Sequence, residues 1–297
     1  PLLRKLEGKL SRYLNVKHVI CVNNCTTGLI ISLRALGHKT CVITPRFSFP
    51  ATMNAISMVG EEIIFCDTSE DSPNVSKSSL EEQLVDNPFC KVIVIPNLWS
   101  TVNDIKFIQS LAFKYNVSVL YDSSQSFSCS YNGEKIAING SAEVFSFHAT
   151  KLVAAFEGGC ITTNNSELYE KMTQIRSSYG ACGQIDPKLR TANGRMSELQ
   201  AGICLKSLDL VSDYIDNNIL LFNLYKELLL PSSNYSLFIP SSDKIKSSYQ
   251  YVVLILSKEV MHFRDKLKKE LHSHGVLARE YFNYDFSIFD NTPVEKF

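Results

Sequence analysis

Short apolar strands alternate with helical patterns through most of the sequence before residue 166. Continuous runs of valine, isoleucine and other apolar residues, without a polar face, are typical of strands that are covered on both sides. Strands that are joined through helices run parallel, because each crossover returns the chain to the same end of the sheet. We therefore predict an α/β fold in which helices sandwich a mostly parallel sheet. The predicted strands are 18–22, 40–44, 62–66, 91–96, 117–121 and 144–147.

The C-terminal part of the chain has a different pattern. Residues 231–247 are rich in serine and proline, which favours a loop or linker. The elements predicted after it are a strand at 249–256, a helix at 260–272 and the start of another strand at 275–279. We expect a large domain at 1–210 and a smaller α+β domain at 211–297. Because the chain begins at Pro1 and not at methionine, we also expect segments to be missing at both ends.

The composition excludes several kinds of partner. The chain has 30 basic and 30 acidic residues, and its formal net charge of zero indicates neither a nucleic-acid surface nor a polybasic membrane anchor. No apolar run is long enough to cross a bilayer, and the first residues lack a signal-peptide pattern. The nine cysteines include no CxxC pair, which indicates reduced thiols without a metal site. We expect a cytoplasmic protein.

Polar and aromatic residues follow the ends of several predicted strands. Thr26, Phe49, Asn97, Asp122 and Ser146 each lie just past a strand end. Ligands of parallel sheets bind outside the carboxyl ends of the strands, so this convergence predicts one shared site. Structural roles stay open for single members of the set: a carboxylate can cap a strand end, a hydroxyl can be satisfied locally, and a phenylalanine can belong to the core.

Lys151 lies between two predicted strands rather than on a solvated helix. It closes the segment Ser146-Phe-His-Ala-Thr-Lys151, and the turn Glu157-Gly158-Gly159 leads into the next apolar strand. A lysine in such a place can be partly desolvated, which lowers its pKa and makes its amine nucleophilic, as a Schiff-base lysine requires. For this residue by itself, a surface lysine beyond a strand end is the alternative interpretation. We expect His148 to be a structural partner.

The first predicted strand is followed by a small polar turn and then by a helix. Thr26 and Thr27 stand at this turn, where free backbone N–H groups of the helix start and the threonine hydroxyls can bind an anion. A plain helix N-cap is the alternative interpretation of the same residues.

Taken together, these segments resemble the DegT/DnrJ/EryC1/StrS sugar aminotransferases, which are pyridoxal-phosphate enzymes of the aspartate-aminotransferase fold. The similarity extends from about Leu6 to about Phe282 and rests on motifs in the family's order and spacing. The motifs are Thr26-Thr27, Asp122-Ser-Ser-Gln125, Ser146-Phe-His-Ala-Thr-Lys151, Glu157-Gly-Gly159 and Arg195-Met-Ser-Glu-Leu-Gln200. The resemblance implies this fold, with pyridoxal 5'-phosphate as the cofactor.

The resemblance implies a catalytic role for particular residues. Lys151 matches the lysine that forms a Schiff base with the cofactor aldehyde and then moves a proton between the substrate carbon and the cofactor. Asp122 matches the carboxylate that keeps the pyridine nitrogen protonated, so that the ring can act as an electron sink. Gln125 matches the side chain beside the ring and its phenolic oxygen.

Further positions match residues that bind the cofactor. Thr26, the backbone of Thr27 and Ser146 match the phosphate-binding set, and Phe49 matches an aromatic residue that stacks on the ring. Asn193 matches a residue that reaches the phosphate from the other subunit. The resemblance therefore implies a homodimer whose sites are completed across the interface.

The resemblance also implies a reaction. Such enzymes transfer the amino group of L-glutamate to a nucleotide-linked keto-sugar by a ping-pong mechanism, in amino-sugar and O-antigen (lipopolysaccharide) biosynthesis. Lysine at position 151 excludes the related dehydratases, which carry histidine there. Glu157-Gly158-Gly159 is similar to enzymes that act at C4 of the sugar, so we expect a 4-keto-6-deoxyhexose linked to dTDP.

Some positions depart from the family pattern, and alternative functions stay open. Cys25 stands where glycine is usual, and Ser123-Ser124 replaces two alanines; both changes leave the chemistry possible. A C3-keto-sugar aminotransferase and a lyase or decarboxylase on the same scaffold are alternative reactions. A non-enzymatic regulator or sensor is a further alternative, which the presence of both Lys151 and Asp122 argues against.

Overall fold

The computed structural model of the protein describes residues 1–37, 40–137, 139–177 and 191–282, together with 284 and 289. Its helices are α1 (Leu2–Leu14), α2 (Cys25–Leu36), α3 (Pro50–Met58), α4 (Lys77–Asp86), α5 (Ile105–Tyr115), α6 (Ser166–Arg176), α7 (Glu198–Asp209), α8 (Val211–Leu228) and α9 (Arg264–Ser273), with a 3₁₀ turn at Met261–Phe263. Its strands are β1 (His18–Val22), β2 (Cys41–Pro45), β3 (Glu62–Cys66), β4 (Val92–Pro96), β5 (Ser118–Asp122), β6 (Ser130–Tyr131), β7 (Glu134–Lys135), β8 (Ala142–Ser146), β9 (Gly159–Thr163), β10 (Tyr235–Leu237), β11 (Ile245–Lys246) and β12 (Leu254–Leu256).

The central sheet has seven strands in the order β1-β9-β8-β5-β4-β2-β3. Its pairs β8–β5, β5–β4, β4–β2 and β2–β3 are parallel, whereas β9 runs antiparallel to both β1 and β8. β9 is antiparallel because a loop without a crossover helix joins it to β8. The predicted mostly parallel α/β sheet is confirmed, and this connection puts Lys151 in a loop between adjacent strands.

Helices cover both faces of the sheet. Val144 of β8 belongs to the same buried cluster as Leu29 of α2, and the next residue, Phe145, belongs to a cluster with Leu6 of α1. The change of cluster follows from the two-residue period of a strand, which sends successive side chains to opposite faces. Strand β4 is buried along its whole length, as its continuous apolar sequence predicts. Within the described ranges, no helix has the length and apolar character that a membrane crossing requires.

A side-chain cap decides where α2 begins. The apolar period alone predicts a helix from Leu29, but the structure starts α2 at Cys25. Asn24 has extended backbone, and its Oδ1 accepts a hydrogen bond from the Thr27 N–H at 2.8 Å. This cap satisfies one of the N–H groups that have no partner inside the helix. The polar turn predicted before the helix is therefore its first turn.

The C-terminal part contains less strand than the sequence predicts. Of the expected strand at 249–256, only β12 forms, and it pairs antiparallel with β10. The expected strand at 275–279 is also wrong, because these residues are irregular. The domain boundary predicted between residues 210 and 211 falls between α7 and α8. The division of the chain into two domains at this point stays a prediction. Residues 181–192 are polar and contain glycine, which predicts a loop, and most of this segment lies outside the described residues.

Residues 247–251 contact loops at the carboxyl edge of the sheet instead of forming a strand. Ser247 Oγ donates to the Ser100 carbonyl at 2.8 Å, and Gln250 Nε2 donates to the Thr150 carbonyl at 2.7 Å. In this segment, side-chain hydrogen bonds to distant loops replace the backbone pairing of a strand. A local pattern of apolar residues cannot predict such long-range bonds.

The prediction of reduced cysteines is wrong for one pair. The structure joins Cys41 of β2 and Cys90, just before β4, as a disulfide, with their Cα atoms 5.0 Å apart. These strands are neighbours in the sheet, which brings the two residues within the range that disulfides span. The two cysteines are 49 residues apart in the sequence, so no short cysteine motif predicts that they pair. The other described cysteines are free: Cys21, Cys25, Cys66, Cys129, Cys160 and Cys204.

Candidate active site

The carboxyl edge of the sheet gathers most of the predicted site residues. Asp122 is the last residue of β5, Ser146 is the last residue of β8, and Lys151 follows in the loop after β8. Thr26 and Thr27 belong to the first turn of α2, which packs beside β8 and β9. The parallel pairing of β5 with β8 is therefore what brings the carboxylate and the lysine loop together.

Asp122 is buried, and neutral groups donate to its carboxylate. Thr52 Oγ1 donates to Oδ2 at 2.7 Å, while the Ser124 hydroxyl and the Ser124 N–H, the latter at 3.2 Å, both donate to Oδ1. The Cys25 thiol lies 3.9 Å from the same Oδ1. No sequence motif marks Thr52, because 70 residues separate it from Asp122 and only the packing of α3 brings it close. The arrangement holds a carboxylate that keeps lone pairs for a further donor.

Burial lowers the pKa of the Lys151 amine below its ordinary value, and the coulombic effect of the Asp122 carboxylate opposes this shift. Its Nζ donates to the Tyr251 hydroxyl at 3.4 Å, a long hydrogen bond. Burial also raises the pKa of Tyr251, so the phenol stays protonated in the neutral range. Desolvation of this kind activates a nucleophilic lysine, because it disfavours the charged ammonium form. The sequence contained no signal for Tyr251, which lies 100 residues away.

Backbone hydrogen bonds hold the Lys151 loop in place. The Phe147 N–H donates to the Gly158 carbonyl and the Ala149 N–H donates to the Phe156 carbonyl, both at 2.8 Å. These bonds continue the pairing of β8 with β9 past the strand ends, where Ser146 is opposite Gly159. The two ends of the loop that carries Lys151 are therefore held together by backbone hydrogen bonds.

The first turn of α2 lies directly against β9. A Cβ added at Gly159 would lie 2.6 Å from the Phe145 carbonyl oxygen and 3.1 Å from the Cys25 nitrogen, so only glycine fits there. Because Asn24 accepts from the Thr27 N–H, the amides that stay available at this helix start are those of Cys25 and Thr26. The implied use of the Thr27 backbone for a phosphate therefore competes with the helix cap.

Ser146 and His148 make local hydrogen bonds. Ser146 Oγ accepts from the His148 N–H at 3.3 Å. His148 Nδ1 accepts from the Thr150 N–H at 3.2 Å, and its Nε2 lies 3.6 Å from a Glu157 carboxylate oxygen. These contacts fit the structural role expected for His148.

Phe49 and Gln125 have contrasting environments. The Phe49 side chain is 52% exposed, which excludes the interpretation that it is a core residue, and its ring lies 6.1 Å from the Phe282 ring. Gln125 is buried, and its Oε1 accepts from the Trp99 N–H at 3.0 Å. An amide held through its oxygen presents its nitrogen as a donor to another group.

Asn193 and Asn97 are the remaining predicted positions. Asn193 is exposed, and its carbonyl accepts from Asn23 Nδ2 at 3.2 Å, beside the start of α2. Asn97 is buried and joins loops: its Nδ2 donates to Ser123 Oγ at 2.9 Å and its Oδ1 accepts from the Asn103 N–H at 3.0 Å. The structure therefore places Asn193 at the surface and gives Asn97 a structural position.

Comparisons with known proteins agree with this geometry. The chain matches the DegT/DnrJ/EryC1/StrS aminotransferase family over residues 1–295. It is 30% identical over 282 residues to the dTDP-4-amino-4,6-dideoxy-D-glucose transaminase of Shigella dysenteriae, covering 95% of this chain and 76% of the relative. It is 27% identical over 296 residues to the UDP-4-amino-4,6-dideoxy-N-acetyl-beta-L-altrosamine transaminase of Campylobacter jejuni, covering 96% of this chain and 77% of the relative.

A solved structure supports the same assignment. The fold superposes on DesI, crystallised in the presence of its TDP-sugar product, with a TM-score of 0.90 and 26% identity, covering 100% of this chain and 74% of the other. The family match spans nearly the whole chain, and the motifs that carry the resemblance lie on one edge of the sheet. The chain belongs to the DegT/DnrJ/EryC1/StrS aminotransferase family.

Proposed function

We propose that the protein is a pyridoxal-phosphate-dependent aminotransferase that moves the amino group of L-glutamate to a dTDP-linked 4-keto-6-deoxyhexose. The observation that carries the proposal is the desolvated Lys151 amine, whose charge is coupled to the buried Asp122 at the same edge of the sheet. Perturbed pKa values of this kind are concentrated at catalytic sites. The family match supports the class of reaction.

The residues present fit pyridoxal phosphate. An unprotonated lysine amine can condense with an aldehyde, a buried carboxylate can accept from a pyridinium N–H, and helix N-terminal amides can bind a phosphate. Lys151, Asp122 and the first turn of α2 provide these groups within one region. When bound, the cofactor supplies the electron sink that stabilises negative charge at the reacting carbon.

Asp122 would hold a proton on the pyridine nitrogen. Thr52 and Ser124 already donate to its two oxygens, so the carboxylate is fixed in one orientation before any ligand binds. This preorganisation means that no rotation of Asp122 is needed during the reaction. Both Thr52 and Ser124 would act through Asp122 and would not touch the substrate.

Lys151 would hold and move the proton at the reacting carbon. Its lowered pKa gives a larger share of neutral amine near neutral pH, and a neutral amine can accept a proton and return it. The hydrogen bond to the protonated Tyr251 keeps the amine near the carboxyl edge of the sheet. Backbone hydrogen bonds hold the ends of the Lys151 loop, so the amine can move only a short distance. This restriction favours proton transfer, because the amine stays in a constant position relative to the reacting carbon.

The relatives support the choice of acceptor only by analogy. Transaminases named for dTDP-linked and for UDP-linked amino sugars are similar to this chain at 30% and 27% identity. We propose dTDP and amination at C4 because the more similar of these two relatives is named for that product and because Glu157-Gly158-Gly159 follows the pattern expected for C4 enzymes. The product would be an amino sugar of the kind used in O-antigen biosynthesis.

We propose that the working unit is a homodimer. Asn193 is exposed beside the start of α2, where it is free to meet a second copy of the chain. Phe49 is also exposed at the same edge of the sheet. An exposed aromatic residue and an exposed amide near the phosphate-binding turn suit a site that is completed across an interface.

The experiment is a panel of dTDP-, UDP- and GDP-linked 3-keto and 4-keto sugars, each incubated with L-glutamate and read by mass for an amino-sugar product. We expect the dTDP-linked 4-keto-6-deoxyhexose to react and 2-oxoglutarate to form in equal amount. A Lys151→Ala variant is the control and should lose both the product and the visible absorbance of the bound cofactor. A variant that keeps both, or a wild type that releases carbon dioxide or an alkene instead, contradicts the proposal.

A further inference from the structure

Two positions that depart from the family pattern lie in contact with each other. Cys25 stands where glycine is usual, and Ser124 stands in place of the second of two alanines. The positions are 99 residues apart in the sequence, but the Cys25 sulfur lies 3.0 Å from the Ser124 hydroxyl oxygen. The side chains of glycine and alanine have no hydrogen-bonding group. This chain therefore has a polar contact at a place where the family pattern has no polar side chain.

A third group, the Asp122 carboxylate, fixes the direction of this hydrogen bond. The Ser124 hydroxyl lies beside Asp122 Oδ1, and an ionised carboxylate can only accept, so the single hydroxyl hydrogen is donated to that oxygen. The Ser124 oxygen then has only lone pairs left, so the Cys25 thiol must be the donor between the two. The sulfur lies 3.9 Å from Oδ1 itself, which makes Ser124 its nearer acceptor. Hydrogen bonds thus run from Cys25 to Ser124 and on to Asp122.

The Cys25 thiol keeps the proton that this direction requires. Desolvation raises the pKa of the thiol well above its ordinary value, and the negative charge of Asp122 adds to the shift. Because a reactive cysteine needs to be a thiolate, this thiol is a hydrogen-bond donor and not a nucleophile. A hydrogen bond from the thiol polarises the Ser124 hydroxyl, and a polarised hydroxyl donates more strongly to a carboxylate.

Cys25 also belongs to the first turn of α2. Its backbone N–H is one of the amides in this turn that stay available for a phosphate, because Asn24 accepts from the Thr27 N–H. The turn has little room to move, since a Cβ added at Gly159 would lie only 3.1 Å from the Cys25 nitrogen. The thiol therefore reaches the surroundings of Asp122 from a firmly packed position.

We propose that Cys25 and Ser124 are a pair of positioning residues that hold the Asp122 carboxylate in place for the ring nitrogen of the cofactor. This inference rests on the proposed function, which supplies the cofactor. A carboxylate whose orientation is fixed beforehand loses less freedom when it accepts from the ring N–H. Ser124 acts on the carboxylate directly, and Cys25 acts through Ser124. The two departures from the family pattern are then one arrangement, which neither of them indicates by itself.

The test uses substitutions at three positions. Ser124→Ala removes the hydroxyl, Cys25→Ala removes the thiol, and the double variant removes both. Cys25→Ser is the conservative variant, because a hydroxyl can also donate. Ser123→Ala is the matched control, since Ser123 also replaces an alanine but donates to Glu143 instead of Asp122. Alanine is usual in the family at positions 123 and 124, so we expect these variants to fold.

The first reading uses the cofactor-free protein and needs no activity. The S–H stretching band of a thiol lies in a part of the infrared spectrum with little other protein absorption, and a hydrogen bond lowers its frequency. Subtracting the spectrum of the same protein with Cys25→Ala isolates the band of Cys25. We expect this band to move to higher frequency in Ser124→Ala and to keep its wild-type position in Ser123→Ala. A band that is the same in all three proteins overturns the inference.

The second reading separates the ring nitrogen from the rest of the cofactor. The probes are pyridoxamine 5'-phosphate and its carbocyclic analogue, in which a C–H replaces the ring nitrogen, each titrated by calorimetry. Both carry the phosphate, so damage to the first turn of α2 weakens both, whereas a change at Asp122 weakens only the first. We call the Kd of the analogue divided by that of pyridoxamine phosphate the ring preference. We expect it to fall about five-fold in Ser124→Ala, as the loss of one fixed orientation predicts, and to keep its wild-type value in Ser123→Ala.

The effect of Cys25 on the ring preference should depend on Ser124. We expect Cys25→Ala to lower the ring preference about two-fold, because a thiol is a weak donor, and Cys25→Ser to retain it. In the presence of Ser124→Ala, Cys25→Ala should cause no further fall. Effects that add in the double variant, an equal weakening of both probes, or a ring preference that rises overturn the inference.

The inference and the proposed function fail in different ways. If the wild type binds both probes equally, or binds neither, Asp122 does not serve a ring nitrogen and the proposed function fails. The thiol band still decides whether Cys25 donates to Ser124, because it is measured without any ligand. If the wild type has a ring preference that none of the substitutions changes, the proposed function stands and the inference is wrong.

Discussion

At the scale of single residues, the environment of the Lys151 amine is the central feature. Burial lowers its pKa from the ordinary value of 10.5, while the Asp122 carboxylate raises it in the opposite direction. The two effects have different origins, since desolvation disfavours the charged amine and a nearby anion favours it. They can therefore be separated by a substitution that removes the anion and keeps the burial.

We predict that Asp122→Asn lowers the pKa of the Lys151 amine further. Only the neutral amine reacts with an acylating reagent, so the rate of modification rises with pH and reaches its plateau above the pKa. In cofactor-free wild type, the midpoint for Lys151 should lie below 10.5, and in Asp122→Asn it should move to a still lower pH. Mass mapping of the Lys151 peptide across a pH series measures both. A midpoint that is the same in the variant and in the wild type would show that the two groups do not interact.

The residues that support Asp122 and Lys151 come from far along the chain. Thr52 is 70 residues from Asp122, and Tyr251 is 100 residues from Lys151. No local pattern around either residue marks it as part of a site, because threonine and tyrosine have common structural roles. The resemblance identified the lysine and the carboxylate, whereas these supporting contacts follow only from how α3 and the 247–251 segment pack.

At the scale of secondary-structure elements, β9 sets the position of α2. Strand β9 passes so close to the first turn of this helix that a Cβ at Gly159 would meet the Phe145 carbonyl and the Cys25 nitrogen. The same turn carries the amides proposed to bind phosphate. A strand residue thus controls the geometry of a helix start that belongs to the proposed cofactor site.

We predict that Gly159→Ala destabilises the protein by about 2 kcal/mol and weakens pyridoxal phosphate binding, because the added methyl group must push α2 away from the sheet. Gly8→Ala is the matched control: its Cβ would meet only the flexible Arg12 side chain, and it lies within α1, where alanine is favoured by about 1 kcal/mol. Urea unfolding and cofactor titration give the two readings. If Gly159→Ala binds the cofactor as tightly as Gly8→Ala does, this explanation of Gly159 is wrong.

Strand β8 carries a buried acid that makes stability depend on pH. Burial raises the pKa of Glu143 to about 8, while the hydrogen bond from the Ser123 hydroxyl opposes the shift. The unfolded carboxyl titrates near 4.5, so between about pH 4.5 and 8 the folded state binds more protons than the unfolded state. Stability from this group is therefore present at low pH and is lost as the pH rises through that window.

We predict that the free energy of unfolding of the wild type falls relative to that of Glu143→Gln between pH 5 and pH 8, by up to about 1.4 kcal/mol per pH unit. Glutamine keeps the shape and an oxygen that can accept from Ser123, but it has no proton to lose. Urea unfolding of both proteins at a series of pH values gives the difference. Parallel curves would mean that Glu143 is ionised in the folded protein throughout.

At the scale of the whole molecule, the proposed homodimer makes a prediction about how two chains share a site. If Asn193 reaches the phosphate site of the partner, each site combines Lys151 of one chain with Asn193 of the other. A heterodimer in which one chain carries a substitution at Lys151 and the other chain carries one at Asn193 would then have both changes in the same site. Its second site would contain an unchanged Lys151 and an unchanged Asn193.

We predict that Lys151→Ala and Asn193→Asp are each inactive or nearly so as homodimers, because one removes the amine and the other puts a negative charge near the phosphate. Co-expressed with different affinity tags and purified as a heterodimer, they should regain about half of the wild-type activity per dimer. If Asn193 serves its own chain, neither site of the heterodimer is complete and the activity stays low. Sedimentation should give a particle of twice the 33.4 kDa chain.

The amino-acid sequence by itself determined the α/β architecture and pointed to Asp122 and Lys151 as the pair proposed for the chemistry. Continuous apolar strands such as β4 show their burial directly in the sequence. Asp122 and Lys151 stand directly at or just after strands, so their place at the sheet edge follows from local position.

Only the tertiary structure decided what surrounds them. The hydrogen bonds that Cys25, Thr52 and Tyr251 make to residues of the site join segments far apart in the sequence. The expected strand at 249–256 formed only in part for the same reason, since Ser247 just before it and Gln250 near its start bond to loops of the large sheet. Burial and hydrogen bonding across such distances are set by packing of the whole chain, and residue types alone do not encode them.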